Sequence, residues 1–160
     1  MENKKPTAEQ IKACREDTEE HIYKVARYLF KMIDLLRGRA AGHDASKLEE
    51  PELSMFAYYG PKLKEMTFGS DEYKAALAEM KEQALDHHYA RNSHHPEHTD
   101  RGIEGMNLID VLEMLCDWKA ATLRMKDGDL NKSIDYNVSR FGIDPQLEAI
   151  LRNTVELFED

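Results

Sequence analysis

The chain has 160 residues, of which 41% are hydrophobic and 33% are charged, and we expect one domain with one core. The formal net charge of -9 at pH 7 excludes sequence-independent binding to a nucleic-acid polymer or to an anionic membrane, because both need a basic surface. It does not exclude a small phosphorylated ligand held through a metal ion, since the ion supplies the local positive charge.

The N-terminal segment "MENKKPTAEQ" has no apolar stretch of the kind found in secretory signals, and no apolar run reaches membrane-spanning length. Cys14 and Cys116 both fall within apolar helical patterns, so we expect two buried, reduced thiols. These features predict a cytoplasmic protein.

Helical periodicity runs through the chain, and no segment shows the alternation of a β-strand. Gly and Pro residues and N-capping side chains mark the predicted helix ends. The predicted helices are residues 7–37, about 44–60 with a disturbance near Pro51 and an end at Gly60-Pro61, 71–91 after the cap Ser70, 108–127 after the cap Asn107, 130–141 and 145–158, with a loop at 92–105. The sequence therefore predicts an all-α fold, a single-domain bundle of five to seven helices that spans residues 1–160.

Two histidines come early in the chain. His21 lies at the edge of the first apolar stripe, one turn after Asp17, and its ordinary interpretation is a core histidine that hydrogen-bonds Asp17. His43 and Asp44 are adjacent and follow Gly42. Neighbouring side chains on a helix point about 100° apart, so this pair can hold one ion only at an irregular helix start. Such a pair suits Zn, Mn, Fe or Co, whereas the alternative is that Asp44 or Ser46 caps the second helix.

The fourth predicted helix carries acidic residues on one face. Asp110, Glu113, Asp117 and Arg124 fall within a sector of about 60°, and the other faces are largely apolar. Such a sector is often a solvated face. A helix that is apolar nearly all round is buried, however, and buried carboxylates need a metal ion or a basic side chain as a partner.

Five of the seven histidines lie within "DHHYARNSHHPEH": His87, His88, His94, His95 and His98. At helical spacing the apolar positions Leu77, Met80 and Ala84 point at His87, with His88 just beside it. So many imidazoles would repel one another if protonated, so we expect them to be neutral or metal-bound at pH 7. The alternative is a polar loop with incidental histidines, and the spacing fits neither a zinc finger nor the His-Glu-x-x-His motif.

The order of these motifs resembles that of the HD-domain superfamily, all-helical metal-dependent phosphohydrolases. "HDASK" resembles the family's His-Asp-x-x-Lys version, and "CDWKAA" occupies the place of its distal aspartate helix. "HHPEH" is similar to the His-His-Glu segment of the HD-GYP branch, although no Gly-Tyr-Pro follows. The whole chain also resembles a group of small bacterial and phage proteins with "HD.SK", "HH…N.HHPE" and "L.D..EM..DW.AA". The resemblance covers about His21 to Arg124.

The resemblance implies a site for one or two divalent transition metal ions, namely Mn, Fe, Zn, Co or Ni. The implied ligands of the first ion are His21, His43, Asp44 and Asp117. Asp44 would bridge to a second ion, whose further ligands are His87 or His88 together with His94 and His95. Of the five histidines in this segment, His98 is the one that the resemblance supports least as a metal ligand.

The resemblance also assigns catalytic roles. Lys47 would contact a substrate phosphate, with Arg91 and Arg124 as further phosphate-binding residues. Some nucleotidase members carry a catalytic Glu where this chain has Lys47. Asp44, Lys47 and Glu113 are therefore the expected catalytic residues, with Glu50 or a bridging hydroxide as other candidates for the base.

The expected function is hydrolysis of a nucleotide or another small phosphorylated metabolite by metal-activated water. Two alternatives stay open: a di-iron oxygenase of the HD type, and a catalytically degenerate metal-containing protein that binds a nucleotide or has a regulatory role. We expect no nucleic-acid polymer and no membrane as a partner, and the composition permits a homodimer.

Overall fold

The computed structural model describes residues 5–67, 69–125 and 128–158. Its α-helices are α1 (Ala8–Gly42), α2 (Glu52–Glu65), α3 (Asp71–Met80), α4 (Asp86–Arg91), α5 (Leu108–Thr122), α6 (Leu130–Phe141) and α7 (Pro145–Val155). A π-helical segment, Lys81–Leu85, joins α3 to α4, so that residues 71–91 form one continuous helix. These described ranges contain no β-strand, and the prediction of an all-α fold with five to seven helices is confirmed.

The chain divides into two compact units, Met1–Ala41 and Gly42–Asp160. The described part of the first unit consists mainly of α1, in which no described residue is buried. Ion pairs one turn apart, such as Glu20 with Lys24, support this helix. The described helices include none that is both long enough and apolar enough to cross a membrane. That the whole chain forms a single domain stays a prediction.

The second unit has its main apolar cluster between α5, α6 and α7. The buried members are Leu115, Leu130, Ile134, Ile143 and Leu151. The turn from α6 to α7 brings these helices together, because Gly142 takes a left-handed conformation with φ 63° and Asp144 then caps α7. This packing holds α5, which carries three of the predicted acidic residues.

Several predicted helix ends are confirmed. The Ser70 hydroxyl accepts a hydrogen bond from the Tyr73 amide, and Asn107 forms a reciprocal capping box with Asp110. The predicted break at Gly60-Pro61 is wrong, since α2 continues through Pro61 to Glu65. Proline removes a single helical hydrogen bond, and the packing of α2 against the turn before it and the π-helical segment favours the helix regardless.

The cysteine prediction is wrong as well. Cys14 and Cys116 are both exposed. Cys14 lies on α1, where no described residue is buried, and Cys116 follows the buried residues Met114 and Leu115 but points to another side of α5. Apolar neighbours along a helix therefore gave a misleading indication of burial.

The π-helical segment changes which histidine reaches the interior. Eleven residues of an ideal α-helix make about three full turns, which would place His87 on the same face as Ala76. The segment takes up one extra residue, as shown by the Asp86 amide, which donates to the carbonyl of Lys81 five residues earlier. Consequently His88, twelve residues after Ala76, is the buried histidine, and His87 is only half-buried.

Candidate metal centre

An irregular turn directs His43 and Asp44 towards one centre. Asp44 has a left-handed backbone with φ 55°, immediately before the 3-10 turn Ala45–Leu48. Its side chain makes no capping hydrogen bond to that turn, so the capping alternative does not account for it. The left-handed residue breaks the helical progression, and therefore the two adjacent side chains can approach the same point.

The second unit brings six of the predicted ligands together. Two groups of side chains have ligand atoms within 4.8 Å of one another: Asp44, His88, His94 and His95 in one, and His43, His94 and Asp117 in the other. The contributing segments are the turn after α1, α4, the loop that follows α4, and α5. These His and Asp groups could hold a metal ion.

The separations between ligand atoms agree with a shared ion. Nε2 of His43 lies 3.5 Å from Oδ2 of Asp44 and 3.5 Å from Oδ1 of Asp117. Nε2 of His88 and Nε2 of His94 lie 3.3 Å and 3.5 Å from Oδ1 of Asp44. Two ligands of one tetrahedral ion, each at a bond length of about 2.1 Å, are about 3.4 Å apart. The two oxygens of Asp44 thus face the two groups separately.

The other nitrogen of three of these rings faces a glutamate. Oε1 of Glu113 lies 2.9 Å from Nδ1 of His43 and 3.2 Å from Nδ1 of His94. Oε2 of Glu52 lies 2.8 Å from Nδ1 of His88. An ionised carboxylate only accepts hydrogen bonds, so these contacts favour a proton on each Nδ1. In a neutral ring the lone pair is then on Nε2, the atom that could bind a metal ion.

Two buried polar atoms at the centre have no hydrogen-bond partner within the described part of the chain: Oδ1 of Asp44 and Nε2 of His94. Buried carboxylate oxygens and ring nitrogens normally have a hydrogen-bond partner, because a buried polar atom without one has lost its hydration and gained nothing in return. The two atoms lie 3.5 Å apart, so that one divalent cation would satisfy them together. The donor set, imidazole nitrogen with carboxylate oxygen, suits a borderline transition metal.

The charges in the cluster are strongly coupled. A hydrogen bond to Asp117, together with Glu113 and Asp44, raises the pKa of His43 to about 9 against the opposing effect of burial. Burial alone would raise the pKa of Asp44, but the close contact with the His88 ring and the charge of Lys47 lower it well below its usual range. A proton on His43 thus offsets part of the negative charge that the carboxylates concentrate here.

His94 and His95 behave in the opposite way. Burial, followed by the positive charge of His43, lowers the pKa of His94. Burial, followed by the charges of His94 and His88, lowers the pKa of His95 to about 3. Both rings are therefore neutral at pH 7, which is the protonation state that a metal ligand needs. Nε2 of His95 lies 2.9 Å from Nε2 of His88.

The predicted phosphate-binding residues occupy different surroundings. Nζ of Lys47 lies 2.5 Å from Oδ2 of Asp44, beside the cluster. Arg91 is exposed and lines a cavity of about 430 Å³ together with Ser46 and Asn92. Arg124 is exposed just after the end of α5.

Other predicted residues lie outside the two ligand groups. His21 is an exposed residue of α1, in the first unit. His87 is half-buried, with Nδ1 2.7 Å from Oε1 of Glu52. The exposed His98 donates from Nδ1 to the carbonyl of Tyr89, and the exposed Glu50 accepts a hydrogen bond from the Ser54 hydroxyl.

The sequence did not indicate Glu52 or Asn92 as site residues, and it offered Ser46 only as a helix cap. Glu52 is 0% exposed and accepts from His87, His88 and the Ser46 hydroxyl, which in turn accepts from the Asn92 amide. An acidic residue in the first turn of a helix and an asparagine after a helix are both common, so neither position stood out.

Residues 10–157 match a family described as a family of unknown function (DUF5662). The chain belongs to this family. No curated protein and no solved structure matches the chain.

Proposed function

We propose that this DUF5662 protein is a metal-dependent phosphohydrolase of the HD type that acts on a nucleotide or another small phosphorylated metabolite. The metal would be Mn, Fe, Zn, Co or Ni, one ion or two. The observation that carries the proposal is the ring of Nε2 and carboxylate atoms around the unpaired atoms of Asp44 and His94, with an ammonium group at its edge.

The ligands are assigned from the contacts above. Asp44, His88, His94 and His95 form one group, and His43 and Asp117 extend it on the side of Oδ2 of Asp44. A divalent cation held there would supply Lewis acidity, which polarises a phosphoryl oxygen and makes water a better nucleophile at neutral pH. Glu113 bonds two ligand histidines through Oε1, so its geometry supports a positioning role better than that of a general base.

Lys47 and the adjacent cavity would bind the phosphate. The ammonium group of Lys47 is half-buried beside Asp44 and can neutralise charge that develops on a phosphoryl group. Arg91, on the wall of the cavity that Ser46 and Asn92 also line, would bind a more distant phosphate or another anionic part of the substrate. A metabolite of limited size suits a cavity of about 430 Å³.

A substrate screen tests the proposal. Nucleoside mono-, di- and triphosphates and generic phosphomonoesters are incubated with the protein and Mn, Co, Ni, Zn or Fe(II), and released phosphate and nucleoside are measured. We expect turnover with at least one metal, and its loss in His43→Ala and Asp117→Ala. Nucleotide binding without turnover would support the degenerate alternative, and oxygen consumption with Fe(II) would support the oxygenase.

Lys47→Gln tests the phosphate-binding role. We expect kcat/KM to fall about 100-fold, because a charge-neutralising donor is lost from the transition state. Metal affinity should stay the same or rise, since the ammonium group no longer competes for Asp44. The matched control is Lys64→Gln, an exposed lysine of α2. An unchanged kcat/KM in Lys47→Gln would remove Lys47 from the mechanism.

A further inference from the structure

Glu52 is a fully buried carboxylate that none of the predicted ligand roles uses. It is 0% exposed and is the first residue of α2. A buried carboxylate is retained in a folded protein only where several donors compensate for its lost hydration. The identity of those donors therefore indicates its role.

Each oxygen of Glu52 has its own donors. Oε1 lies 2.7 Å from Nδ1 of His87, and Oε2 lies 2.8 Å from Nδ1 of His88. The Ser46 hydroxyl also donates to Oε2 at 2.9 Å, while the amide of Asn92 donates to the Ser46 oxygen at 2.9 Å. The carboxylate thus links α2, the turn that follows Asp44, and α4.

This arrangement fixes the state of His88. A neutral imidazole has one ring proton, and the acceptor at Nδ1 holds it there. Nε2 then presents its lone pair 3.3 Å from Oδ1 of Asp44, inside the ligand group. With the proton on Nε2 instead, His88 could not bind an ion through Nε2, and Glu52 would be left without that donor.

We propose that Glu52 is a positioning residue that keeps His88 in the tautomer whose Nε2 binds a divalent cation, and thereby sets the affinity of the group formed by Asp44, His88, His94 and His95. This inference rests on the proposed metal-binding function of that group. Glu113 holds His43 and His94 by contacts of the same kind, so each buried glutamate serves different ligands.

The first test measures metal affinity. Glu52→Gln keeps the shape of the side chain, but its single carbonyl oxygen cannot replace two carboxylate oxygens that accept from three donors. We expect the dissociation constant for Zn²⁺ or Mn²⁺, measured by competition with a chelator, to rise about 10- to 100-fold. The control Glu79→Gln removes a charge from another carboxylate, one that links α3 to Tyr59 of α2, and should leave affinity unchanged.

The second test reads the tautomer directly and needs no bound metal. Two-bond ¹H–¹⁵N correlation spectra of the metal-free wild-type protein distinguish a proton on Nδ1 from one on Nε2. We expect His88 to carry it on Nδ1, and Glu52→Gln to show a fraction with the proton on Nε2. A purely structural role for Glu52 would leave this spectrum unchanged in a variant that still folds.

The outcomes separate this inference from the proposed function. A wild-type His88 protonated on Nε2, or a Glu52→Gln variant with wild-type metal affinity, would overturn the role of Glu52. Equal weakening in Glu52→Gln and Glu79→Gln would also overturn it, by showing a general effect of charge. If the wild-type protein binds no ion but His88 has its proton on Nδ1, the proposed function fails while the hydrogen-bonding role of Glu52 stands.

Discussion

At the scale of single residues, the backbone conformation of Asp44 largely determines how His43 and Asp44 are arranged in the candidate metal centre. In the described part of the chain, Asp44 is the one residue other than glycine that has a positive φ, 55°. Aspartate and asparagine tolerate this conformation better than most residues, because their short polar side chains can bond locally. The conformation lets His43 and Asp44 face a common centre, which consecutive residues of a regular helix cannot do.

The variants Asp44→Asn and Asp44→Ala separate the effect of the carboxylate charge from that of the left-handed backbone. Both variants should lose at least about 100-fold in metal affinity, because the oxygens that face both ligand groups are altered or removed. Without metal, Asp44→Ala should be about 1 kcal/mol less stable than Asp44→Asn, since alanine adopts a left-handed backbone at greater cost. Urea unfolding in the presence of a chelator measures the difference. Equal stabilities would show that the left-handed conformation causes no strain at this position.

The sequence predicted the site in part at this scale. The adjacency of His43 and Asp44, and the position of Asp117 on a largely apolar helix, were sufficient to select residues that the structure brings together. Glu52 could not be predicted, because its role depends on His87 and His88 approaching from another helix. A contact between two segments that are distant in the chain produces no periodic pattern in the sequence of either segment.

At the scale of helical elements, the π-helical segment decides which histidine enters the cluster. Periodicity of 100° per residue pointed at His87, whereas the extra residue in Lys81–Leu85 brings His88 to the buried face. Buried positions recur at Ala76, Met80, Ala84 and His88, always four residues apart. In an unbroken α-helix this spacing drifts by about 40° at each step, and the wider π turn corrects the drift. A propensity scale gives no warning of such an insertion.

Deletion of the exposed Gln83 tests this account. Removing one residue within the π-helical segment shortens the spacing from Ala76 to the present His88 from twelve positions to eleven, which fits three regular turns. We expect the deletion variant to fold and to bind metal within about threefold of the wild-type affinity. Insertion of one alanine after Gln83 should instead rotate His88 by about 100° and abolish binding. Helicity by circular dichroism and affinity by chelator competition are the measurements, and loss of binding in both variants would contradict the account.

At the scale of the whole molecule, the described site lies within one of the two units. The six side chains of the ligand groups all come from Gly42–Asp160, although 74 positions separate His43 from Asp117. The core of α5, α6 and α7 fixes the helix that carries Asp117, and the helix of residues 71–91 carries His88. Helix formation and fold class followed from periodicity, whereas the division at residue 41 did not, since the apolar stripe of α1 resembles that of a buried helix.

His21 is a predicted metal ligand that lies outside both described groups. The resemblance assigns it to the first ion, but the second unit alone forms one group of four candidate ligands and another of three that shares His94. Four ligands complete a tetrahedral ion. From that supply we expect His21→Ala to change metal affinity less than about threefold, and His43→Ala to lower it more than about 100-fold. Both are measured by chelator competition on the full chain, with Tm in the presence and absence of metal as a second reading, because an ion that binds only the folded state raises Tm. If His21→Ala loses as much affinity as His43→Ala, the first unit contributes a ligand, and α1 and the second unit must then act as one metal-binding structure.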